Sequence, residues 1–363
     1  MSRIVIDARE SGTSTGRYID KLIEHMHTLK PQHEIVVLAK KHRLDFMKSV
    51  APGFQTVETP FKEFSLGEQL GFRKQIKSLK PDLVHFGKVE QPILYTGRAV
   101  TTMHDLTTVR FRNPTKNAIV FKLKQQVYKI VNIIAAHKSR VLITPTQYVK
   151  NDVVKFAHIK PAKVTVTLES ADAITGPATP VEALKGKQFI MYIGRPMLHK
   201  NLGRLMDAFK IMQETNPELY LVLAGKKDPL YDAHEKNAKE KGIKNIIFTG
   251  FISDGELKWL YQNTACYVFP SLSEGFGLPP LEAMIHGAPV ASSNATCLPE
   301  VNGDAADYFD PLDSRGMAEV VLNIINNNAH AEELKQRGKV QVAKYSWDRM
   351  TKQTLEVYDR ALS

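Results

Sequence analysis

Short apolar runs rich in β-branched side chains recur along the chain without strict alternation. In the first half they predict strands over Arg3–Asp7, Glu34–Ala39, Leu83–Phe86, Val100–Met103 and Val141–Thr144. In the second half they predict strands over Phe189–Ile193, Leu219–Leu223, Asn245–Phe248, Cys266–Phe269 and Pro289–Ala291. Runs of this kind mark parallel strands buried on both faces. Between them apolar positions return at helical spacing, as over Gly16–Leu29, Asn201–Thr215 and Gly255–Gln262. The last segment, Ser346–Ser363, opens on a serine suited to cap a helix. Strands alternating with helices imply parallel sheets covered on both faces, so the expected class is α/β.

The chain has 363 residues, too many for one ordinary core and suited to two domains. The stretch Thr175-Gly-Pro-Ala-Thr-Pro180 carries no periodicity and reads as a linker. The expected division is residues 1–173 and 186–345, each a doubly wound Rossmann-like domain, joined by a linker over 174–185. At 43% hydrophobic and 24% charged residues, the composition is that of a globular chain and excludes a disordered one. No window reaches the 18 or so apolar residues of a spanning helix. The N-terminus lacks the long apolar region of a signal peptide and reads better as a first strand. Cys266 and Cys297 suggest neither a disulfide framework nor a metal site. The expectation is therefore a cytoplasmic protein.

The net charge of +11 is unevenly shared. Residues 1–173 carry 28 Lys and Arg against 15 Asp and Glu, while residues 174–363 carry 21 against 23. A basic half beside a near-neutral one points the first half toward an anionic partner: a membrane surface, a phosphorylated acceptor or a nucleic acid. No helix-turn-helix, RNA-binding or zinc motif supports the nucleic acid, so none is expected. In the stretch from Ala118 to His137, Val120, Leu123, Val127, Ile130, Val131 and Ile134 recur at helical spacing beside Lys122, Lys124 and Lys129. Such a helix either packs on its own sheet with its lysines in water or lies against an anionic bilayer.

Ligands of open parallel sheets bind beyond the C-terminal ends of the strands. After Phe189–Ile193 comes Gly194-Arg195-Pro-Met-Leu-His-Lys200-Asn201, two cations in a loop before a helix, with Asn201 as an expected N-cap. Arg can grip two phosphate oxygens and Lys adds a point charge, so the loop suits a phosphate. After Cys266–Phe269 comes Glu274-Gly275-Phe276-Gly277-Leu278-Pro-Pro-Leu-Glu282. Its glycines let backbone approach a ligand, and its prolines suit a first helical turn, which is where Glu282 is expected. A carboxylate there can accept two vicinal hydroxyls.

These two segments together resemble the donor site of the family 4 glycosyltransferases, which have the GT-B fold. The resemblance extends over nearly the whole chain. Asp7-Ala8-Arg9 with Thr15-Gly16-Arg17-Tyr18 is similar to the family's first-strand turn. Glu68-Gln69, Asp82-Leu-Val-His85-Phe86 and His104-Asp105-Leu106 resemble its mannosyl- and rhamnosyltransferase branch, and Thr249-Gly250-Phe251 and Pro299-Glu300-Val301 fit it too. The sequence departs from the pattern in two places. Thr13-Ser14-Thr15 separates Gly12 from Gly16, and Leu168-Glu-Ser-Ala-Asp172 lacks the glycine of an Asn-Gly-Val-Asp-like stretch.

The resemblance implies two domains facing each other across a cleft. The first would be the acceptor side, with the helix at 346–363 crossing back to it, and the second would hold the nucleotide sugar. It implies that Arg195 and Lys200 hold a donor diphosphate and Glu282 the ribose hydroxyls. Glu274, with the N–H groups of Phe276, Gly277 and Leu278 beside Gly275, would hold the sugar. Gly16 and Phe251 would also line the donor, His104 would touch the transferring sugar, and Glu68, Gln69 and Asp105 would lie on the acceptor side. The catalytic set would be His104, Glu274, Arg195 and Lys200.

The expected reaction is transfer of a hexose, with retention, from a GDP-mannose-like, dTDP- or UDP-sugar to a hydroxyl of a glycan or lipid-linked acceptor. The chain contains no Asp-x-Asp motif, so no cofactor and no metal are expected. Peripheral contact with the inner face of an anionic membrane is a further expectation. Two alternatives share the architecture: a nucleotide-sugar epimerase or hydrolase, and a non-catalytic nucleotide-sugar-binding module.

Overall fold

A computed structural model describes residues 1–13, 15–111 and 118–363, and for 118–123 the backbone only. Val120, Lys122 and Leu123 therefore lie outside the described side chains. The chain forms two compact units. The first comprises residues 1–109, 118–169 and 346–363; the second comprises 110–111 and 170–345. The segment 174–185 belongs to the second unit, where Thr179 N–H donates to Gly255 O and Lys258 Nζ to Gly176 O.

The first unit is built on seven strands: β1 (Arg3–Asp7), β2 (Glu34–Ala39), β3 (Gln55–Glu58), β4 (Leu83–Phe86), β5 (Ala99–Thr102), β6 (Val141–Thr144) and β7 (Val164–Val166). Their order is β3-β2-β1-β4-β5-β6-β7, and all pairings are parallel. The second unit adds β8 (Phe189–Ile193), β9 (Tyr220–Ala224), β10 (Ile246–Gly250), β11 (Cys266–Phe269), β12 (Val290–Ser293) and β13 (Ala306–Phe309), in the order β10-β9-β8-β11-β12-β13, again parallel. Each sheet grows in one direction and then reverses, in the first between β1 and β4 and in the second between β8 and β11. Those reversals open the crevices in which doubly wound folds bind ligands.

The predicted strands are present, with β5, β9, β10 and β12 displaced by about one residue. Three strands carry no apolar run: β3 (Gln-Thr-Val-Glu), the three-residue β7 and β13 (Ala-Asp-Tyr-Phe). Each is the outer strand at an edge of its sheet or, like β3, half exposed, so the burial that writes an apolar run is missing.

The helix Trp347–Leu362 packs in the core of the first unit, where Trp347, Met350, Val357, Tyr358 and Ala361 join Ile4, Ile6, Leu22, Val100 and Ile143. Ser346 caps it, its side chain accepting from Arg349 N–H.

The end of β1 is fixed by a buried ionic cluster. Arg9, 3% exposed, grips Asp7 through Nε at 2.9 Å and Nη2 at 2.8 Å, reaches Glu68 through Nη1 at 2.8 Å and donates to Glu90 O at 2.8 Å. Its guanidinium lies 4.0 Å from the centre of the Phe72 ring. Burial works against the charge on Arg9, but Asp7 and Glu68 hold it protonated. Replacing one member of such a cluster leaves the others charged and desolvated. Arg9→Ala should therefore lower the unfolding free energy by about 3–5 kcal/mol, read as a shift in the urea midpoint. A change below about 1 kcal/mol would mean that water reaches the two carboxylates.

Candidate active site

Two loops of the second unit meet because β8 and β11 are neighbours in the sheet. The loop after β8 turns through a short 3-10 segment, Leu198–Lys200, before the helix Leu202–Thr215. The loop after β11 leads into the helix Leu278–Ile285. Leu272 N–H donates to His199 O at 2.7 Å, and Asn201 Nδ2 donates to Pro270 O at 3.0 Å. These bonds bring Lys200 Nζ to 2.6 Å from Glu274 Oε1, with the two side chains 21% and 13% exposed.

Asn201 does stand at the helix start, but in a left-handed conformation, and its side chain accepts no capping bond. Its amide instead ties the loop to Pro270 O and Pro311 O. Asn201 is thus the N-cap residue, as expected, but its side chain staples two loops instead of capping a helix N–H.

Arg195 is 64% exposed and bonds through Nε to Asp228 Oδ2 at 3.0 Å. Asp228 also caps the helix Pro229–Glu240, accepting from Leu230 and Tyr231 N–H. Slight burial raises its pKa, but Arg195 and those N–H groups outweigh it and hold the carboxyl below its usual range. Tyr231 Oη donates to Gly194 O at 2.7 Å, fixing the turn that presents Arg195. Asp228 and Tyr231 escaped sequence reasoning; the one local signal was an aspartate directly before a proline, a helix-start signature.

Glu274 is held by its backbone. Its N–H donates to Thr296 Oγ1 at 3.1 Å and its carbonyl meets Cys297 Sγ at 3.3 Å. Gly277 has φ +91°, and a Cβ there would come 2.7 Å from Leu298 Cδ2, so the turn before the helix requires glycine. The N–H groups of Phe276, Gly277 and Leu278 stand at this helix start, where amides have no intrahelical partner. The ring of Phe276 is buried against Tyr345. Gly275 is buried in the same loop.

Glu282 is the fifth residue of the helix, in its second turn, which corrects the expected first-turn placement. Its Oε2 lies 3.4 Å from Tyr261 Oη. Phe251 follows β10 with 84% of its surface exposed.

In the first unit, Gly16 precedes the helix Arg17–Leu29, and a Cβ on it would sit 1.8 Å from Glu10 O. Gly16 N–H is taken by Thr13, through O at 3.1 Å and Oγ1 at 3.0 Å. His104 follows β5, 17% exposed at its side chain. Its Nε2 lies 3.1 Å from Gly87 O and its Nδ1 3.2 Å from Glu169 Oε1. The rings of Tyr18 and His104 meet nearly perpendicular, with centres 4.9 Å apart. His104 borders a cavity of about 130 Å³ shared with Thr15, Lys88, Glu90, Asp105 and Tyr128. Asp105 accepts from Thr107 N–H at 2.7 Å.

Gln69 bonds Ile93 N–H at 2.8 Å. Glu68 does not face an acceptor: it is 1% exposed, bound to Arg9 and accepting from Phe64 N–H at 2.9 Å. The expectation for Glu68 is corrected on this point, because the buried guanidinium already claims its charge.

Comparison with known proteins agrees with the fold and the motifs. Residues 179–341 match the glycosyl transferases group 1, and residues 15–168 match Glycosyltransferase Family 4. The chain is 28% identical over 274 residues to the O-antigen chain mannosyltransferase B of Escherichia coli, covering 72% of this chain and 70% of that one. It is 36% identical over 191 residues to the serotype-specific mannosyltransferase WbdA of Escherichia coli, covering 50% of this chain but 23% of that longer one. Sucrose-phosphate synthase from Thermosynechococcus elongatus superposes with a TM-score of 0.76 at 16% identity over 99% of both chains. Anabaena HepE, solved in complex with UDP and glucose, superposes with a TM-score of 0.75 at 15% identity over 99% of this chain and 100% of that one. The protein is a glycosyltransferase with the two Rossmann-like α/β units of the GT-B fold. It belongs to family 4.

The His104–Glu169 pair makes a pH dependence that can be measured. Burial alone would lower the histidine, but the Glu169 carboxylate and the Gly87 carbonyl outweigh it, so its pKa lies above 6.5. A group raised on folding stabilises fully below its unfolded value and loses that contribution as pH rises through the folded one. Urea unfolding followed upward from about pH 6 should show stability falling, with a flatter course in His104→Ala. Equal slopes would place the dependence elsewhere.

Proposed function

We propose that the protein is a retaining hexosyltransferase that moves a hexose from a nucleotide-diphosphate sugar to a hydroxyl of a glycan or lipid-linked acceptor. The reading is carried by the meeting of Lys200 and Glu274 at the reversal between β8 and β11, with Arg195 beside them. Mannose is the hexose favoured, since both Escherichia coli relatives are named mannosyltransferases. GDP-mannose is accordingly the first donor to test, with UDP- and dTDP-sugars as comparators.

In this mechanism the bond between the sugar's anomeric carbon and the diphosphate oxygen breaks while the acceptor oxygen bonds that carbon from the same face. The acceptor's proton passes to an oxygen of the departing diphosphate. Arg195, Lys200 and the N–H groups of Phe276, Gly277 and Leu278 stabilise the charge on the leaving group. These groups do the work for which other enzymes use a metal, so none is required. Glu274 exchanges Lys200 for hydroxyls of the donor sugar and leaves the lysine to the phosphate. Glu282 accepts the ribose hydroxyls, and the exposed face of Phe251 lies against the base. Gly16, in the loop after β1, is assigned to the donor by the family resemblance. By the same resemblance His104 is assigned to the transferring sugar, and Asp105 and Gln69 to the acceptor.

Contact with an anionic membrane belongs to the same reading. Phe64, Leu66, Leu70, Leu94, Val127 and Ile130 are exposed on the first unit. Phe64 reaches the helix Ala118–Lys138 through Tyr128, with ring centres 5.9 Å apart. Exposed Lys62, Lys74, Lys77 and Lys124 lie in the same segments. Apolar side chains among lysines suit the interface of an anionic bilayer.

Enzyme kinetics, nucleotide titration, chelation and vesicle binding test this reading. Lys200→Ala should lower turnover of the true donor on the order of a hundredfold to a thousandfold. Glu282→Ala should weaken binding of the free nucleoside diphosphate and raise the donor KM, whereas Glu274→Ala should lower kcat and leave that binding nearly unchanged. Equal loss of the bare nucleotide in both glutamate variants would end the division of roles, and activity abolished by EDTA and restored by a divalent ion would end the metal-free mechanism. On vesicles, binding should require anionic lipid and weaken as salt rises past about 0.1 M, where charges are screened beyond roughly 10 Å. Equal binding to neutral and anionic vesicles at low salt would remove the membrane from the scheme.

A further inference from the structure

One departure from the family pattern remains without a role. Where an Asn-Gly-Val-Asp-like stretch is usual, this chain has Glu169-Ser-Ala-Asp172. Glu169 is the residue at which the chain leaves the first unit, and it is 6% exposed. Its carboxylate lies 3.2 Å from Nδ1 of His104.

The two partners of His104 constrain its protons. Nε2 faces Gly87 O at 3.1 Å, and a carbonyl can only accept, so Nε2 carries a hydrogen. Nδ1 faces a carboxylate oxygen of Glu169 at 3.2 Å, which serves here as the acceptor, so Nδ1 carries one as well. We propose that Glu169 is a positioning residue of the transfer site, holding His104 with an N–H on both nitrogens so that it meets the adjacent cavity as a fixed cation.

This rests on the reading that places His104 beside the transferring sugar. An asparagine amide at this position would satisfy Nδ1 in either tautomer, whereas a carboxylate commits the ring to its charged form. An imidazolium bonded on both sides has no lone pair. It therefore cannot serve as the base for the acceptor hydroxyl, whose proton goes to the departing diphosphate oxygen. What His104 contributes is a fixed positive charge at the edge of the cavity that it borders.

The surroundings keep that charge local to the pair. Tyr18, from the helix Arg17–Leu29, meets His104 with the two rings nearly perpendicular, and its hydroxyl bonds Thr102 at 3.1 Å. His85, from β4, is held neutral by burial and by the nearby charge of His104, its pKa lowered to about 3. It bonds Tyr358 Oη at 2.6 Å and Thr102 Oγ1 at 2.9 Å. Lys88, from the loop after β4, lies 3.4 Å from Glu10 and 3.5 Å from Glu90. Asp105, next in sequence, accepts from Thr107 N–H and adds a smaller attraction for the charged ring, behind those of Glu169 and Gly87 O. Tyr128 borders the cavity from the helix Ala118–Lys138. Glu169 is thus the carboxylate in contact with the imidazole.

The test combines imidazole ¹⁵N chemical shifts of His104 with pH profiles of kcat and KM for wild type, Glu169→Gln, Glu169→Asp and His104→Ala. In wild type both nitrogens should be protonated at about pH 7, above the ordinary histidine value of about 6.5. In Glu169→Gln the ring should become neutral there. Its kcat should fall about tenfold or more near pH 8 and recover toward acid, with KM within about threefold of wild type. Glu169→Asp should restore part of both the charge and the rate. A neutral His104 in wild type at about pH 7 would overturn the proposal without recourse to any variant. So would a Glu169→Gln enzyme that keeps the wild-type pH profile while His104→Ala is impaired, since Glu169 would then be a structural residue only. If His104→Ala turns over like wild type, the placement of His104 beside the sugar falls, and the proposal falls with it.

Discussion

Lys200 and Glu274 stand 74 residues apart in the chain, and the pairing of β8 with β11 makes them neighbours. A parallel sheet sends every strand out by the same edge, so the loops that follow adjacent strands must emerge side by side. At an ordinary position a crossing helix fills the space above those loops. At the reversal of strand order the helices turn away to opposite faces, and a crevice is left. The candidate site follows from that topology, with Asp228, Tyr231, Asn201 and Thr296 holding the functional groups in place within it.

How much of this the sequence disclosed depends on whether a feature is written in consecutive residues. Central strands are written that way, since burial on both faces demands an unbroken apolar run. So are the glycine loop from Glu274 to Glu282 and the cations of the loop after β8. Of the edge strands β10 was legible, but β3, β7 and β13 were not, because β7 is only three residues long and β3 and β13 carry polar residues at half-exposed positions. Partnerships across long spans were equally hidden. Nothing near Glu169 in sequence announces His104, and nothing near Glu68 announces that Arg9 will take its carboxylate into the interior. Glu68 was placed on the acceptor side by resemblance alone, and burial decides against it.

The loops of the first unit are fastened differently from those of the second. After β8 and β11 the anchors are mostly backbone bonds and amides, such as Asn201 Nδ2 on two carbonyls. After β1 and β4 the anchors are charges: Arg9 with Asp7 and Glu68, and Lys88 with Glu10 and Glu90. Ionic anchoring fixes a loop well only while every member is present, because each buried charge depends on the others for its solvation. The basic excess of the first half is thus not internal: Arg9 and Lys88 face four carboxylates, so the cations outside these two clusters carry all of it.

The helix Trp347–Leu362 has a consequence for how the chain is made. A ribosome delivers the first sheet early, yet Leu22, Ile4 and Val100 find their last packing partners in Trp347, Met350 and Tyr358. Until those residues emerge, the nascent first unit keeps an apolar face open to water, while the second unit already has its whole sheet outside the exit tunnel. The order of synthesis is therefore reversed in the order of completion, and the half of the chain made first is the last to close.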